Sequence, residues 1–210
     1  MRYRILLLLL LCNCVYAYSQ TIKVANGVGI SKMYSSDIED IYSSYTYDYS
    51  NSLGISYWNH KYFNLSSQIG YITKGGISNT TVWGDGGIIS EKIDVKLRYL
   101  DLNTLFVAKI PLNKFCVYAG IGPSVNFLFK RSSNLDSKYV LDTPYDVNEG
   151  NFNKIGLAIK SELGVAYYWD KLEFGVSVSN LYDLFYLDKL NFNMKSKVFI
   201  VMLSIGYVIN

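Results

Sequence analysis

The sequence predicts an all-β chain, an eight-stranded antiparallel up-and-down transmembrane β-barrel preceded by a signal peptide. Three observations predict it. Long stretches alternate apolar and non-apolar residues, and successive side chains on a strand point to opposite sides. Ten of the sixteen glycines (Gly27, Gly29, Gly54, Gly70, Gly120, Gly122, Gly156, Gly164, Gly175 and Gly206) lie in those stretches, on the face that also carries Ser and Lys. The opposite face is a band of Val, Leu, Ile, Phe and Tyr. A soluble sandwich hides its bulky face and shows polar residues to water. Here the small and polar face suits the cramped inside of a small barrel, and the bulky face suits an outside that meets lipid. Finally, the connections alternate short and long, as the turns and loops of outer-membrane barrels do.

The first 19 residues read as a secretory signal peptide, leaving 20–210 as the barrel domain. Arg2 and Arg4 give a basic start, Ile5 to Leu11 an apolar run, and Ala17 and Ser19 the small residues for a cut before Gln20 or, alternatively, after Ala17. The run is too short to cross a bilayer as a helix. Cys12 and Cys14 leave with this segment, so Cys116 remains alone and is expected as a small buried side chain. Losing Arg2 and Arg4 lowers the formal charge from +3 to +1, which gives no electrostatic case for nucleic acid.

The strands are expected near Ile22–Met33, Asn51–Trp58, Tyr62–Lys74, Val95–Ile110, Phe115–Phe129, Lys154–Trp169, Leu172–Asn180 and Lys197–Ile209. Asp170-Lys171 makes a two-residue turn, setting Trp169 opposite Leu172, Tyr167 opposite Phe174, Val165 opposite Val176 and Leu163 opposite Val178. The apolar faces then match without a slip. A turn at Asn59-His60-Lys61 is expected to pair Trp58 with Tyr62, Tyr57 with Phe63 and Ile55 with Leu65. A third turn, Pro111 to Lys114, joins Ile110 to Phe115, since Pro has no amide to give a ladder. The last strand turns Phe199, Val201, Leu203, Ile205, Tyr207 and Ile209 to one side, and Tyr207 is the aromatic nearest the end of the barrel. Long loops are expected near 34–50, 75–94, 130–153 and 181–196. They would face outward, with both termini periplasmic.

Candidate chemistry is sparse. His60 is the sole histidine and falls in a turn at the terminus end, whereas an outer-membrane acylase or protease needs one at the loop rim. Gly120-Ile121-Gly122-Pro123 lacks the third glycine and following helix of a phosphate loop. No cofactor is expected. Asp101, Lys109, Lys160, Glu162 and Glu173 fall on the lumen face and are expected to form an interior polar network. Paired carboxylates there have no room for a sugar, so glycosidase chemistry is excluded. Lys96 and Arg98, just below the second loop, are candidates to meet lipopolysaccharide phosphates. In the first loop, Tyr34, Tyr42, Tyr45, Tyr47 and Tyr49 stand among serines and the acids Asp37, Glu39, Asp40 and Asp48. Two readings stay open for it: an interfacial aromatic girdle with a solvated loop, or a contact surface for a protein or glycan. The third loop mixes Lys130, Arg131 and Lys138 with Asp136, Asp142, Asp146 and Glu149, the pattern of a solvated loop.

Four segments resemble a known family. Val24-Ala25-Asn26-Gly27-Val28-Gly29-Ile30-Ser31 resembles its opening strand. Phe63-Asn64-Leu65 through Gly70-Tyr71-Ile72-Thr73-Lys74-Gly75 resembles its third strand, with the Tyr-x-x-Lys-Gly ending. Tyr99-Leu100-Asp101-Leu102, followed by Tyr118-Ala119-Gly120-Ile121-Gly122-Pro123, resembles its middle strands, although Asn103 and Thr104 stand where the family carries a proline. Lys154-Ile155-Gly156-Leu157 to Val165 resembles the strand before its last hairpin. The chain thus resembles the small PorT-like proteins of the outer membrane protein beta-barrel domain family. The resemblance implies an outer-membrane barrel without shared catalytic residues, and the namesake's part in type IX secretion would carry over by analogy alone.

The expected function is that of a non-enzymatic integral outer-membrane protein. It would touch lipid and lipopolysaccharide, and act through its loops on surface partners or as an accessory of secretion or assembly. The alternatives are a soluble secreted barrel that binds a small apolar ligand, and a lipid-modifying outer-membrane enzyme. The first would need a bulky apolar lumen, and the second a histidine at the loop rim.

Overall fold

The computed structural model describes residues 20–35, 43–84, 87–133, 152–187 and 193–209. The expected signal peptide, Tyr42, Asp37, Glu39, Asp40 and most of the third loop's charges lie outside them. The strands are β1 (Gln20–Ser35), β2 (Thr46–Tyr57), β3 (Phe63–Gly84), β4 (Gly87–Leu112), β5 (Phe115–Ser133), β6 (Ile155–Trp169), β7 (Leu172–Asp183) and β8 (Met194–Ile209). Each pairs antiparallel with the next, and β1 pairs with β8, so the barrel is closed.

The two faces sort as the alternation demands. Leu163, Phe174 and Leu203 point outward and are 59%, 37% and 67% exposed. The ten glycines share the inward parity with buried Ser52, Ser66, Ser124, Ser177 and Ser204. Large apolar side chains therefore cover the outside, while small and polar ones, joined by buried apolar clusters, line the axis. An exposed apolar belt around a closed barrel is the pattern that hydrocarbon, not water, rewards.

The hairpin registers hold in one case and shift in two. The β6–β7 turn has every expected pair, with Asp170 at φ 54°, in the left-handed region that Asp tolerates. The β2–β3 hairpin pairs Tyr57 with Leu65 and Ile55 with Ser67, two residues away from expectation. The His60 ring stacks on Phe63 at 4.6 Å and its amide donates to the Phe63 carbonyl at 2.9 Å, drawing Phe63 into the turn. A two-residue slip preserves parity, so no side chain changes face.

The β4–β5 turn is only Asn113-Lys114, and Pro111 belongs to β4, opposite Cys116. The Lys109 amide donates towards β3, to the Tyr62 carbonyl at 2.7 Å. Two residues on, the missing amide of Pro111 would point the same way, past the start of β3, so the proline costs no ladder bond.

The segment 75–94 is not an open loop. β3 and β4 stay paired up to Gly84 opposite Gly87. Strands also run further than expected into 34–35, 130–133 and 194–196.

The long β3–β4 arm leaves the β2 ladder above Tyr71 and meets that side again at an isolated bridge between Ser44 and Ile77. The β2–β3 ladder stops at Asn51 opposite Tyr71. Above that level the inward-pointing Ser31 of β1 holds Gly75, its Oγ accepting from the Gly75 amide at 2.9 Å and donating to the Gly75 carbonyl at 3.2 Å. Thr73 and Asp94, on the outer face of the arm, receive or make bonds with Asp48 and Thr46, on the inner face of β2. A strand pair whose outer face touches its neighbours' inner face lies inside them. The β4–β5 register shift between Arg98 and Tyr99 sits at the base of this bend, where a bulge adds local twist.

Candidate functional site

The sequence offers no catalytic cluster, and among the described residues no three His, Cys, Asp or Glu side chains converge to hold a metal ion. Two regions instead combine unusual chemistry with defined geometry: the filled lumen and the rim at the loop end.

Near the termini, Lys23 pairs with Glu173 at 2.5 Å, and Lys109 donates to the Asn59 side chain in the β2–β3 turn. At mid-height Lys160 lies 3.8 Å from Glu162 and donates to Gln68 Oε1 at 2.8 Å, while the Tyr118 hydroxyl donates to Glu162 at 3.3 Å. Asp101 accepts from the Ser124 hydroxyl and from Asn103 Nδ2 at 2.6 Å, and Asn126 Nδ2 donates to Ser124 Oγ at 2.9 Å. All five residues expected in the lumen point inward. Asp101, Lys160, Glu162 and Glu173 are buried, and Lys109 is half-buried. Two voids between these groups measure about 10 and 30 Å³, room for one or two water molecules.

Sequence reasoning missed the top of the lumen. Lys74 pairs with Asp183, whose other oxygen accepts from the Ser196 amide at 3.0 Å and hydroxyl at 2.7 Å. Lys74 Nζ also lies 4.9 Å from the centre of the Tyr99 ring. Around this pair Met33, Ile72, Val95, Leu97, Leu181, Met194, Val198 and Ile200 form one buried apolar cluster with Phe152 and Leu187. The bent arm supplies Ile72, Val95, Leu97 and Tyr99 to it and so caps the lumen. The Tyr-x-x-Lys-Gly segment contained the signal: Lys74 makes the ion pair, and Gly75 passes where a Cβ would lie 2.2 Å from the Val95 carbonyl oxygen. Asp183 was hidden because 181–196 read as a loop.

At the rim, Lys96 and Arg98 lie on the outer face of the arm, beside carboxylates and the β2 backbone. Lys96 donates to the Tyr47 carbonyl at 3.0 Å and lies 3.7 Å from Asp94, and Arg98 Nε lies 3.7 Å from Asp48. Tyr45, Tyr47 and Tyr49 are exposed, the last two on the outer face of β2, which is the arrangement of an interfacial girdle. His60 stands in the turn at the terminus end, far along the chain axis from this rim. On the outer wall a groove of about 650 Å³ runs between Ile22, Leu53, Ile69, Leu102 and Val125. Its hydroxyls satisfy each other, Ser67 Oγ lying 2.9 Å from Thr104 Oγ1 and 3.0 Å from the Tyr57 hydroxyl.

The same architecture recurs in solved proteins. The chain is similar to Neisserial surface protein A (NspA) at 10% identity, covering 89% of this chain and 96% of that one with a TM-score of 0.52. It is similar to the outer membrane protein OprG from Pseudomonas aeruginosa at 15% identity, covering 90% and 96% with a TM-score of 0.51. At these identities the likeness concerns the fold alone. No curated protein matches the chain. The model of the outer membrane protein beta-barrel domain matches residues 18–188, most of the barrel just described. With a closed eight-stranded wall, an apolar outside and that match, the chain belongs to the outer membrane protein beta-barrel domain family and is an integral outer-membrane protein.

Proposed function

We propose that this protein is a non-catalytic outer-membrane barrel whose lumen conducts nothing and whose work is done at the loop end. Both termini would be periplasmic and the long connections would face the outside of the cell. The observation that carries the reading is the double closure of the lumen. Ion-paired and hydrogen-bonded side chains fill its length, and the β3–β4 arm caps it with the cluster around Lys74 and Asp183. A channel would leave this space to water. Contact with lipopolysaccharide and with a surface partner fits a tyrosine-rich rim. A role as an accessory of secretion, by analogy with PorT-like proteins, is a second reading that rests on sequence resemblance alone.

Planar-bilayer recording tests the closed lumen. Purified protein is expected to give no steady conductance steps, and reproducible openings would sink the proposal. Carbonate washing of cell membranes, followed by labelling of single cysteines introduced at the β6–β7 turn and in the β3–β4 turn of intact cells, tests the orientation.

A further inference from the structure

We propose that Lys32, Lys195 and Lys197 bind the phosphate groups of an anionic membrane lipid on the outer face of the barrel at its loop end. The β1–β8 ladder sets Lys32 directly opposite Lys197 and Tyr34 opposite Lys195. The β7–β8 ladder sets Tyr182 opposite Lys197. All three lysines share the outward parity of Ile30, Phe199 and Val201. Three cations therefore crowd one patch of sheet, and like charges directly opposite each other weaken a ladder.

Five other cations of this barrel are answered by a carboxylate. Lys23 has Glu173, Lys74 has Asp183, Lys96 has Asp94, Arg98 has Asp48 and Lys160 has Glu162. Among the described residues Lys32, Lys195 and Lys197 have no such partner. They lie on aromatic faces instead. Lys32 Nζ is 5.8 Å from the centre of the Tyr45 ring and Lys197 Nζ is 5.4 Å from that of Tyr34. Lys195 Nζ is 5.3 Å from the Tyr186 ring and 5.8 Å from the Tyr182 ring. A ring face holds an ammonium group without using its three N–H donors, which stay available to an anion.

The surroundings favour a lipid phosphate over a free one. Tyrosine rings take up the headgroup level of a bilayer, and lysine stems lie along apolar surface while their heads reach the phosphates. Exposed Val28, Phe199 and Val201 continue down the same strands, where acyl chains would lie. A phosphate between Lys32 and Lys197 would turn their repulsion into two charge-assisted hydrogen bonds. This inference rests on the outer-membrane reading and names the ligand of its rim.

The test uses the full chain purified from membranes in detergent and native mass spectrometry of retained lipid. The probes are bisphosphorylated lipid A, the same lipid with its phosphates removed, and inorganic phosphate. The parent protein is expected to retain phosphorylated lipid A, and K32A/K195A/K197A to retain at least about tenfold less. K32R/K195R/K197R and K96A/R98A are expected to retain it as the parent does. Heat-modifiable gel migration reports folding, and Lys197→Gln alone serves if the triple variant fails to fold, with a smaller loss expected. Equal retention by a folded alanine or glutamine variant overturns the inference. So does equal retention of the dephosphorylated lipid, or displacement of lipid A by equimolar inorganic phosphate. Release of the parent chain by carbonate wash would instead defeat the outer-membrane reading. A chain that stays in membranes yet ignores lipid phosphate defeats this inference alone.

Discussion

Lys74 of β3 and Asp183 of β7 form an ion pair across the mouth of the barrel, with their side chains 0% and 2% exposed. The pair ties the inward-bent arm to the opposite wall. Ser196 and the Tyr99 ring surround it, so both charges are compensated in a place without bulk water.

Removing one partner should therefore be costly. Lys74→Met leaves the Asp183 carboxylate buried and unpaired, a change worth about 3–5 kcal/mol. The double variant Lys74→Met with Asp183→Leu should recover most of that loss, because two apolar side chains suit the surrounding cluster. Urea unfolding in lipid vesicles, read as a double-mutant cycle, measures both. Equal instability of the single and double variants would show that the charge itself is needed.

The wall should be sensitive to charge on one face only through lipid. Val165 and Val176 sit opposite each other on the outer face. An Arg at either is expected to cost about 2–4 kcal/mol if it lies near the bilayer midplane. Folding yield into bilayers compared with detergent micelles separates this from packing, since the penalty should shrink in micelles. An Arg at Gly164 should fail in both media, because even a Cβ there would lie 2.4 Å from the Tyr118 ring.

Two nearby glycines should respond oppositely to alanine. At Gly27 a Cβ would lie 1.8 Å from the Val201 carbonyl oxygen, on the backbone of the β1–β8 seam that closes the barrel. At Gly29 the nearest atom would be 3.8 Å away. Gly27→Ala is expected to abolish the heat-modifiable folded band. Gly29→Ala is expected to fold, with a gain of about 0.4–1 kcal/mol from the stiffer unfolded chain.

Cys116 points inward and is 4% exposed. A bulky maleimide is expected to leave it unmodified in the folded barrel and to label it fully in urea. Rapid labelling of the folded protein would mean that the lumen admits more than its small voids allow.

The wall and the facing of its side chains were legible in the sequence because both are local properties of a strand. Parity repeats every two residues, so Leu157 through Tyr167 announce their face whatever they pair with. The tight β6–β7 turn then carried its register, since Asp170-Lys171 leaves no slack. The β2–β3 register was not legible, because stacking of His60 on Phe63 lengthened the turn without changing any parity. The arm was half legible: Gly84-Asp85-Gly86-Gly87 between Val82-Trp83 and Ile88-Ile89 is a hairpin signal, but alternation stops being strict beyond Lys74. The reason is physical. Where the base of the arm bends inside the wall, at residues 72–78 and 94–98, both of its faces meet protein, so an inside–outside pattern no longer describes it.

The sequence by itself determined a closed barrel with lipid outside and small, charged side chains inside, since side-chain alternation and glycine position depend only on neighbours along the chain. Only the tertiary structure decided which charges meet. Lys23 finds Glu173, Lys74 finds Asp183, and Lys32 faces Lys197 through pairings between strands far apart in sequence. Curvature and bend, which no single strand encodes, bring those groups together.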